Sequence, residues 1–318
     1  MGSALIERAK RPKGPSILCA GIAVQDIVMR VKTFPAPGTK VDASDFIITG
    51  GGCAANAAVT AARLGASVRF AGPIGDDNDE TSNRIISDLI AEGIDCTGAT
   101  RVAGGTASVS LILLDALGEK TIATRRGSKL NGTLPADPAQ LVEAVDAVLV
   151  DNRFSEYVSA ICRAASRRRI PIVIDLDAPT KVKDPLLALG THVIASAEAL
   201  RATTRLEDHA AALQMLGKQL SGFVAVTDGP QGLYWLTPSG MQHMPAFPVE
   251  AIDSLGAGDA FHGAFTVALA EDRDIGDCLR FASATAALKC TRFGGASGSP
   301  KRAKVEEFLK QQAPSAAP

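Results

Sequence analysis

Short apolar runs separated by stretches of mixed polarity dominate the second half of the chain. Ala147–Asp151, Ile172–Asp175, His192–Ala195 and Phe223–Thr227 read as strands, with helices near Tyr157–Arg168 and His209–Leu220 between them. Strands that are apolar at successive positions and alternate with helices predict right-handed βαβ crossovers and a parallel sheet covered on both faces. In the first half, Ser16–Val24 reads as a buried strand running into Asp26, and Val68–Ala71 as another. Helices are predicted from the small-residue run after Gly52 through Leu64, ending at Gly65, and over Thr81–Glu92, Ala260–Ala270 and Leu279–Cys290. Gly232–Leu236 and Gln242–Pro245 form a hairpin. Thr106–Asp115 and Thr121–Arg125 form another through Ala116-Leu117-Gly118-Glu119, and with a short strand at Phe46-Ile47-Ile48 they predict a small separate sheet. The expected fold class is α/β: one doubly wound, mostly parallel domain over residues 1–318. A small β accessory comes from segments near 27–49 and 102–127, and residues 1–14 and 311–318 read as flexible ends.

Composition narrows the class of function. Thirty-three Lys and Arg stand against 34 Asp and Glu, a net charge of −1, so no general attraction to nucleic acid or membrane surfaces is expected. The six cysteines are scattered without a CxxC pair, which predicts free core-filling thiols, a reducing compartment and a cytoplasmic protein. No stretch approaches membrane-spanning length, and the first 14 residues lack the apolar core of a signal peptide. The absence of GxGxxG after the first strand argues against a dinucleotide dehydrogenase, and no Gly-Lys-Ser/Thr follows the glycines near residue 256, which excludes a P-loop.

The candidate chemistry centres on Gly256-Ala257-Gly258-Asp259, which leads into the apolar helix. A first helical turn without bulky side chains leaves backbone N–H groups open to an anion, which the helix dipole also favours. Asp259 at that positive end is expected to stay ionised and to take a proton from a hydroxyl beside a bound phosphate; the simpler alternative is an ordinary N-cap. Thr49 to Ala58 is a second run of small residues that allows close approach of a ligand or of another backbone. Asp26, expected at the carboxyl end of a buried strand, lies where ligands gather in parallel sheets. His262, three residues past Asp259, reads as packing.

Two of these stretches resemble the signatures of one family. Gly51-Gly52-Cys53-Ala54-Ala55-Asn56-Ala57-Ala58 through Arg63-Leu64-Gly65 resembles the first signature of the PfkB, or ribokinase-like, carbohydrate kinases. Asp253-Ser254-Leu255-Gly256-Ala257-Gly258-Asp259 resembles the second, with Ser254 where Thr is usual, and Thr227-Asp228-Gly229-Pro230-Gln231-Gly232 is similar to the family's nucleotide loop. The resemblance runs from about residue 16 to residue 310. It implies an α/β core with a β-sheet lid and phosphoryl transfer from ATP, accompanied by Mg²⁺, to a sugar hydroxyl. It also implies Asp259 as base, with Gly256, Ala257 and Gly258 holding the phosphoryl group. Thr227, Gly229, Gly232 and Ser254 would line the ATP site, and Asp26, Gly51, Gly52 and Asn56 would contact the sugar. The family's Asn-x-x-Glu element, which helps place the metal, is replaced by Ser196-Ala197-Glu198-Ala199, and no metal ligand is assigned. The exposed edges of a lid would also allow two copies to pair as a homodimer.

Within the family, Ala246-Phe247-Pro248-Val249, Phe261-His262-Gly263-Ala264 and the Phe281–Gly295 stretch resemble the sulfofructose kinase branch, and Asp151-Asn152-Arg153 the ketohexokinases. That resemblance implies a ketose phosphorylated at C1, such as 6-deoxy-6-sulfofructose. Lys40 and Arg153 would hold the C6 anion, with Thr124 in place of the branch's asparagine, and Arg125 and Arg126 are alternatives for the anion. A neutral ketohexose or ribose kinase, a nucleoside kinase and a non-catalytic sugar-binding regulator are the rival readings.

Overall fold

Chain segments that are apolar at successive positions lie in the middle of the molecule, and alternating segments lie at its edge. The computed structural model describes residues 14–312. It begins with β1 (Ser16–Ala20), β2 (Val24–Val31), β3 (Ala43–Gly51), α1 (Cys53–Arg63), β4 (Ser67–Ala71), β5 (Pro73–Ile74), α2 (Glu80–Ala91) and β6 (Thr100–Arg101). The hairpin β7 (Ser108–Leu114) and β8 (Lys120–Arg125) follows, then α3 (Pro138–Leu141), β9 (Ala147–Asp151), α4 (Ser155–Arg167), β10 (Ile172–Leu176), β11 (His192–Ser196), α5 (Ala197–Thr204) and α6 (His209–Gly217). The last part contains β12 (Phe223–Thr227), β13 (Leu233–Thr237), β14 (Gly240–Met244), α7 (Ala257–Ala270), α8 (Ile275–Cys290) and α9 (Arg302–Gln311).

Eight strands form the main sheet in the order β14-β13-β12-β11-β10-β9-β1-β4. All pairings from β12 to β4 are parallel, and β13 and β14 are added antiparallel. Every residue of β9 and β10 is buried, as expected where helices cover both faces. On one face Leu149 and Ile194 share a core with Phe261 and Phe265 of α7 and with residues of α1 and α8. On the other, Val148 and Ile174 pack with Tyr157 and Ile161 of α4 and Leu213 of α6. Burying a side chain the size of Phe265 stabilises the fold by roughly 1.5–3 kcal/mol. Aspartates start several helices: Asp79 accepts from Ser82 N at 3.0 Å before α2, and Asp274 from Asp277 N at 3.0 Å before α8.

A second sheet has the order β3-β2-β7-β8. Its register places Asp26 opposite Thr49 on one side and Ser110 on the other, with Thr124 next in line. Val28 and Ile112 on its inner face pack against Leu255, with Ile47 and Phe293 alongside. The opposite face is uncovered, with Phe46 52% and Leu111 43% exposed.

The expected single strand Ser16–Val24 is two strands in two sheets. At Gly21, a side chain would collide with the Asp151 carboxylate, 2.1 Å away. The next amide, Ile22 N, donates to Asp151 Oδ2 at 2.7 Å instead of to a neighbouring strand. The ladder stops there, the chain crosses over, and Asp26 lies within the small sheet rather than at the end of a core strand. Of the two expected flexible ends, residues 1–13 and 313–318 lie outside the described residues, whereas Gln311 closes α9. Among the described residues, no helix is long and apolar enough to cross a membrane.

Candidate active site

The carboxyl ends of the parallel strands and the inner face of the small sheet enclose a cavity of about 570 Å³. Its floor is the turn before α7. Gly256 is the N-cap residue, with φ 76°, a left-handed conformation that a residue with a side chain adopts only with strain. Ala257 N donates to Ser254 O at 3.2 Å, so this amide, expected to hold an anion, is already engaged. The amides of Gly256 and Gly258 have no intramolecular acceptor among the described residues and lie at the positive end of the helix.

Asp259 stands in the first turn of α7, three residues after the cap, and is therefore not itself the cap. Its Oδ2 accepts a 2.6 Å hydrogen bond from Asn56 Nδ2 on α1. Burial raises its pKa to about 7, the Asn56 bond opposes that shift, and the charge of Asp177 adds to it. The expectation of an ionised carboxylate is thus qualified: removal from water is the largest cause, and it raises the pKa of Asp259 to about 7. That is the range in which a general base works best.

Asp26 faces the same cavity from β2, buried, with its pKa raised to about 6 by burial against the opposing Ser110 hydrogen bond. Gly51 does not line this cavity. It makes room for Asp26, because a Cβ there would lie 2.1 Å from Asp26 Oδ2. Gly52 and Asn56 do line it. Thr227, Gly229 and Ser254 line it too, with Asp228, whereas Gly232 serves the β12–β13 connection, where a side chain would strike Met244 O at 2.1 Å. Thr124 reaches the cavity and shares a 3.0 Å hydrogen bond with Ser110 Oγ.

The expected pair of anion-holding cations is not assembled. Lys40 is exposed on the β2–β3 connection, beyond the strands that face the cavity, and is not among the lining residues. Arg153 does line the cavity but is ion-paired with Asp177. Arg125 is used structurally, its Nη2 donating to Thr106 Oγ1 at 3.0 Å, whereas Arg126 lines the cavity. Lys120, which sequence reasoning missed, lines it from β8, on the same strand face as Thr124 four residues further on. Alternation along a recognised hairpin strand was the available signal.

Asp151 was also missed as a functional group. It is buried at the end of β9, accepts from Ile22 N, from Ala54 N at 3.1 Å and from Arg153 N at 2.9 Å, and joins β1, α1 and the cavity wall. His262 is packed as expected, its ring nitrogens 2.8 Å from Gly258 O and 3.2 Å from Ile194 O. It ties the first turn of α7 to β11. Cys53 departs from the core-filling expectation: it lines the cavity, and its sulfur lies in one cluster with carboxylate oxygens of Asp175 and Asp259, all within 4.8 Å. Burial and the surrounding carboxylates keep that thiol protonated, so it suits neither a thiolate ligand nor a nucleophile. For a hard cation such as Mg²⁺, which prefers oxygen donors and retains water, cavity-lining carboxylates supply oxygen donors. Among them are Glu198, which has no ion pair among the described residues, and Asp177, which is paired with Arg153.

Comparison with known proteins accords with this arrangement. Residues 15–302 match the pfkB family carbohydrate kinase model. The chain is 32% identical to a ribokinase of Bacillus subtilis over 307 residues, covering 92% of this chain and 99% of that protein. It is 29% identical to an ATP-dependent ribose-1-phosphate kinase of Halopiger xanaduensis over 298 residues, covering 93% and 98%. A crystal structure of an Agrobacterium tumefaciens protein, provisionally described as a ribokinase, superimposes with a TM-score of 0.88 at 34% identity, covering 94% of this chain and 98% of that one. An eight-stranded α/β core, a small sheet over its strand ends, and a family match across nearly the whole chain lead to one conclusion: this protein belongs to the pfkB family of carbohydrate kinases.

Proposed function

We propose that the enzyme transfers the γ-phosphoryl group of ATP to the primary hydroxyl of a small neutral sugar, with a pentose such as D-ribose as the first candidate. The observation that carries this reading is the joint presence, in one cavity, of the turn before α7, Asp259 bonded to Asn56, and Asp26 opposite them. Carboxylates and an amide suit the hydroxyl-rich surface of a sugar, since ionised carboxylates accept hydrogen bonds and Asn both donates and accepts. The name of the Bacillus relative points to ribose, and that of the Halopiger relative to ATP and to ribose 1-phosphate, an anionic acceptor that bears on the second reading below.

In this mechanism Asp26 and Asn56 orient the sugar so that one hydroxyl faces Asp259. The ionised Asp259 takes the hydroxyl proton as the oxygen bonds to phosphorus. The Gly256 and Gly258 amides receive the negative charge spread over the transferring group, and ADP leaves with the electron pair of the broken P–O bond. Thr227, Gly229 and Ser254 border the nucleotide. Bound Mg²⁺ would neutralise phosphate charge, with Asp177 and Glu198 as the residues to hold it and its waters. The small sheet would act as a lid that excludes water once the sugar is seated, and its uncovered face around Phe46 and Leu111 would pair with a second copy. Six free cysteines fit work in a reducing, cytoplasmic setting.

A second reading keeps an anionic acceptor, including a ketose that carries a C6 sulfonate and accepts the phosphoryl group at its C1 hydroxyl. Lys120 and Arg126 favour it, since both line the cavity and neither has an ion pair among the described residues. The test is ATP-dependent ADP release with D-ribose, D-fructose, ribose 1-phosphate, 6-deoxy-6-sulfofructose and adenosine. The neutral reading expects D-ribose to give the highest kcat/KM. Preference for either anionic sugar selects the second reading, preference for adenosine a nucleoside kinase, and sugar binding without turnover a regulator.

A further inference from the structure

Lys289 lies in the last turn of α8 with no exposed surface, a rare position for a lysine. Its partner is Asp253, also fully buried: Lys289 Nζ donates to Asp253 O at 2.9 Å and lies 3.2 Å from Asp253 Oδ2. The carboxylate in turn holds two loops. Its Oδ1 accepts from Leu255 N at 2.8 Å, and its Oδ2 from Gly294 N at 2.9 Å and Gly295 N at 3.3 Å. Cys290 O, the next carbonyl on α8, accepts from Ile252 N at 2.9 Å and Asp253 N at 3.1 Å. These loops meet at the turn before α7, where a Cβ on Gly256 would lie 3.6 Å from Gly295 C and Ala296 N.

From this arrangement we infer that Lys289 is a positioning residue for phosphoryl transfer, acting through Asp253 to hold the Gly256–Gly258 turn and to cancel a negative charge directly behind it. The inference rests on the proposed phosphoryl-transfer reading. Two effects follow from the geometry. Asp253 is the common acceptor for the loop entering the turn and the loop packed against it, so a displaced Asp253 releases both. An unpaired carboxylate next to the turn would also repel the phosphoryl group, most strongly where charge is greatest, in the transition state. A buried ion pair contributes little net stability compared with apolar replacements, so stability alone does not account for a charged pair at this place.

The test compares Lys289→Met, Lys289→Ala and the double variant Lys289→Met/Asp253→Leu with the full-length wild type. Lys289→Met is expected to lower kcat by about 100-fold, the cost of misplacing a reacting group by roughly 1 Å, while the sugar KM changes by less than about threefold. In Lys289→Ala, ammonium chloride is expected to restore kcat by about tenfold, whereas choline chloride at equal ionic strength restores nothing. The double variant leaves no unpaired buried charge, so it folds even where the single variants do not. It is still expected to lose about 100-fold in kcat because the loops have no common acceptor. A folded double variant, or a folded Lys289→Met, with kcat within about threefold of wild type overturns the inference. So does ammonium that raises the melting temperature of Lys289→Ala without raising kcat.

Failure of the kinase reading itself appears separately, as a wild type that turns over none of the sugars. Lys289 is then judged by calorimetry with ATP and ADP. The variants are expected to lose any wild-type preference for ATP by about tenfold, and an unchanged preference overturns the inference.

Discussion

The two main sheets of this kinase solve different problems. In the eight-stranded sheet, β9 and β10 are buried at every position, and helices cover both faces. In the four-stranded sheet, β2 alternates between buried and half-buried residues, and the outer face carries exposed Phe46 and Leu111. The large sheet fixes the turn before α7 and Asp259 within a close-packed core. The small sheet brings Asp26, Ser110, Thr124 and Lys120 over that site on a layer held by a small cluster around Val28 and Ile112. On the proposed reading, chemical precision belongs to the thick layer and much of acceptor recognition to the thin one, whose limited burial would make it the easier part to move.

Removing the base should separate the two layers most sharply. Asp259→Asn keeps the shape and an acceptor for Asn56, and is expected to lower kcat by about 10³-fold while leaving ATP affinity, measured by calorimetry, unchanged. Turnover within about tenfold of wild type would end the assignment of Asp259 as base.

Damage to the thin layer should appear in binding instead. Asp26→Ala is expected to raise the sugar KM about 10- to 100-fold, the cost of a hydrogen bond to a charged group, with the ATP KM unaffected. Gly51→Ala should repeat part of this effect without touching the carboxylate itself, because the new methyl would displace Asp26. If either change acted on ATP rather than sugar, the two ends of the cavity would be exchanged.

The buried carboxylates give both layers a pH signature. In the free enzyme kcat/KM should rise as pH passes through about 7, where Asp259 becomes ionised. For stability the sign is opposite. Asp26 and Asp151, raised to about 6, and Asp259, raised to about 7, bind more protons folded than unfolded, so their contribution falls as pH rises from about 4 to 7. Asp79 and Asp95 are lowered, chiefly by hydrogen bonds that overcome a desolvation penalty, and their contribution is lost only as pH falls below the ordinary carboxylate range. Asp259→Asn is therefore expected to be about 1–3 kcal/mol more stable than wild type at pH 8, with a smaller difference at pH 5, by urea unfolding. No gain at pH 8 would mean that Asp259 is not strained by burial.

The smallest effect concerns the uncovered face. Phe46→Lys with Leu111→Lys is expected to convert a dimer to a monomer in sedimentation while the fold of the large sheet is retained. A wild type that is already monomeric at the same concentration removes the pairing proposal.

Much of this was legible in the chain. Apolar runs identified the parallel strands because each is buried on both faces, and small residues before an apolar helix marked the turn before α7, because both signals are local. What tertiary structure decided involves groups far apart in sequence. Asn56 meets Asp259 across 203 positions, Lys289 meets Asp253 across 36, and Asp151 stops β1 from 129 positions away. That Lys120 and not Lys40 is the lysine lining the cavity depended on which strands assemble around it, and the pKa of Asp259 on how much water the assembled walls exclude. Local pattern thus determined the elements and the type of chemistry. Charge pairing, desolvation and close approach exist only once distant segments are packed together, and they determined which residues carry that chemistry.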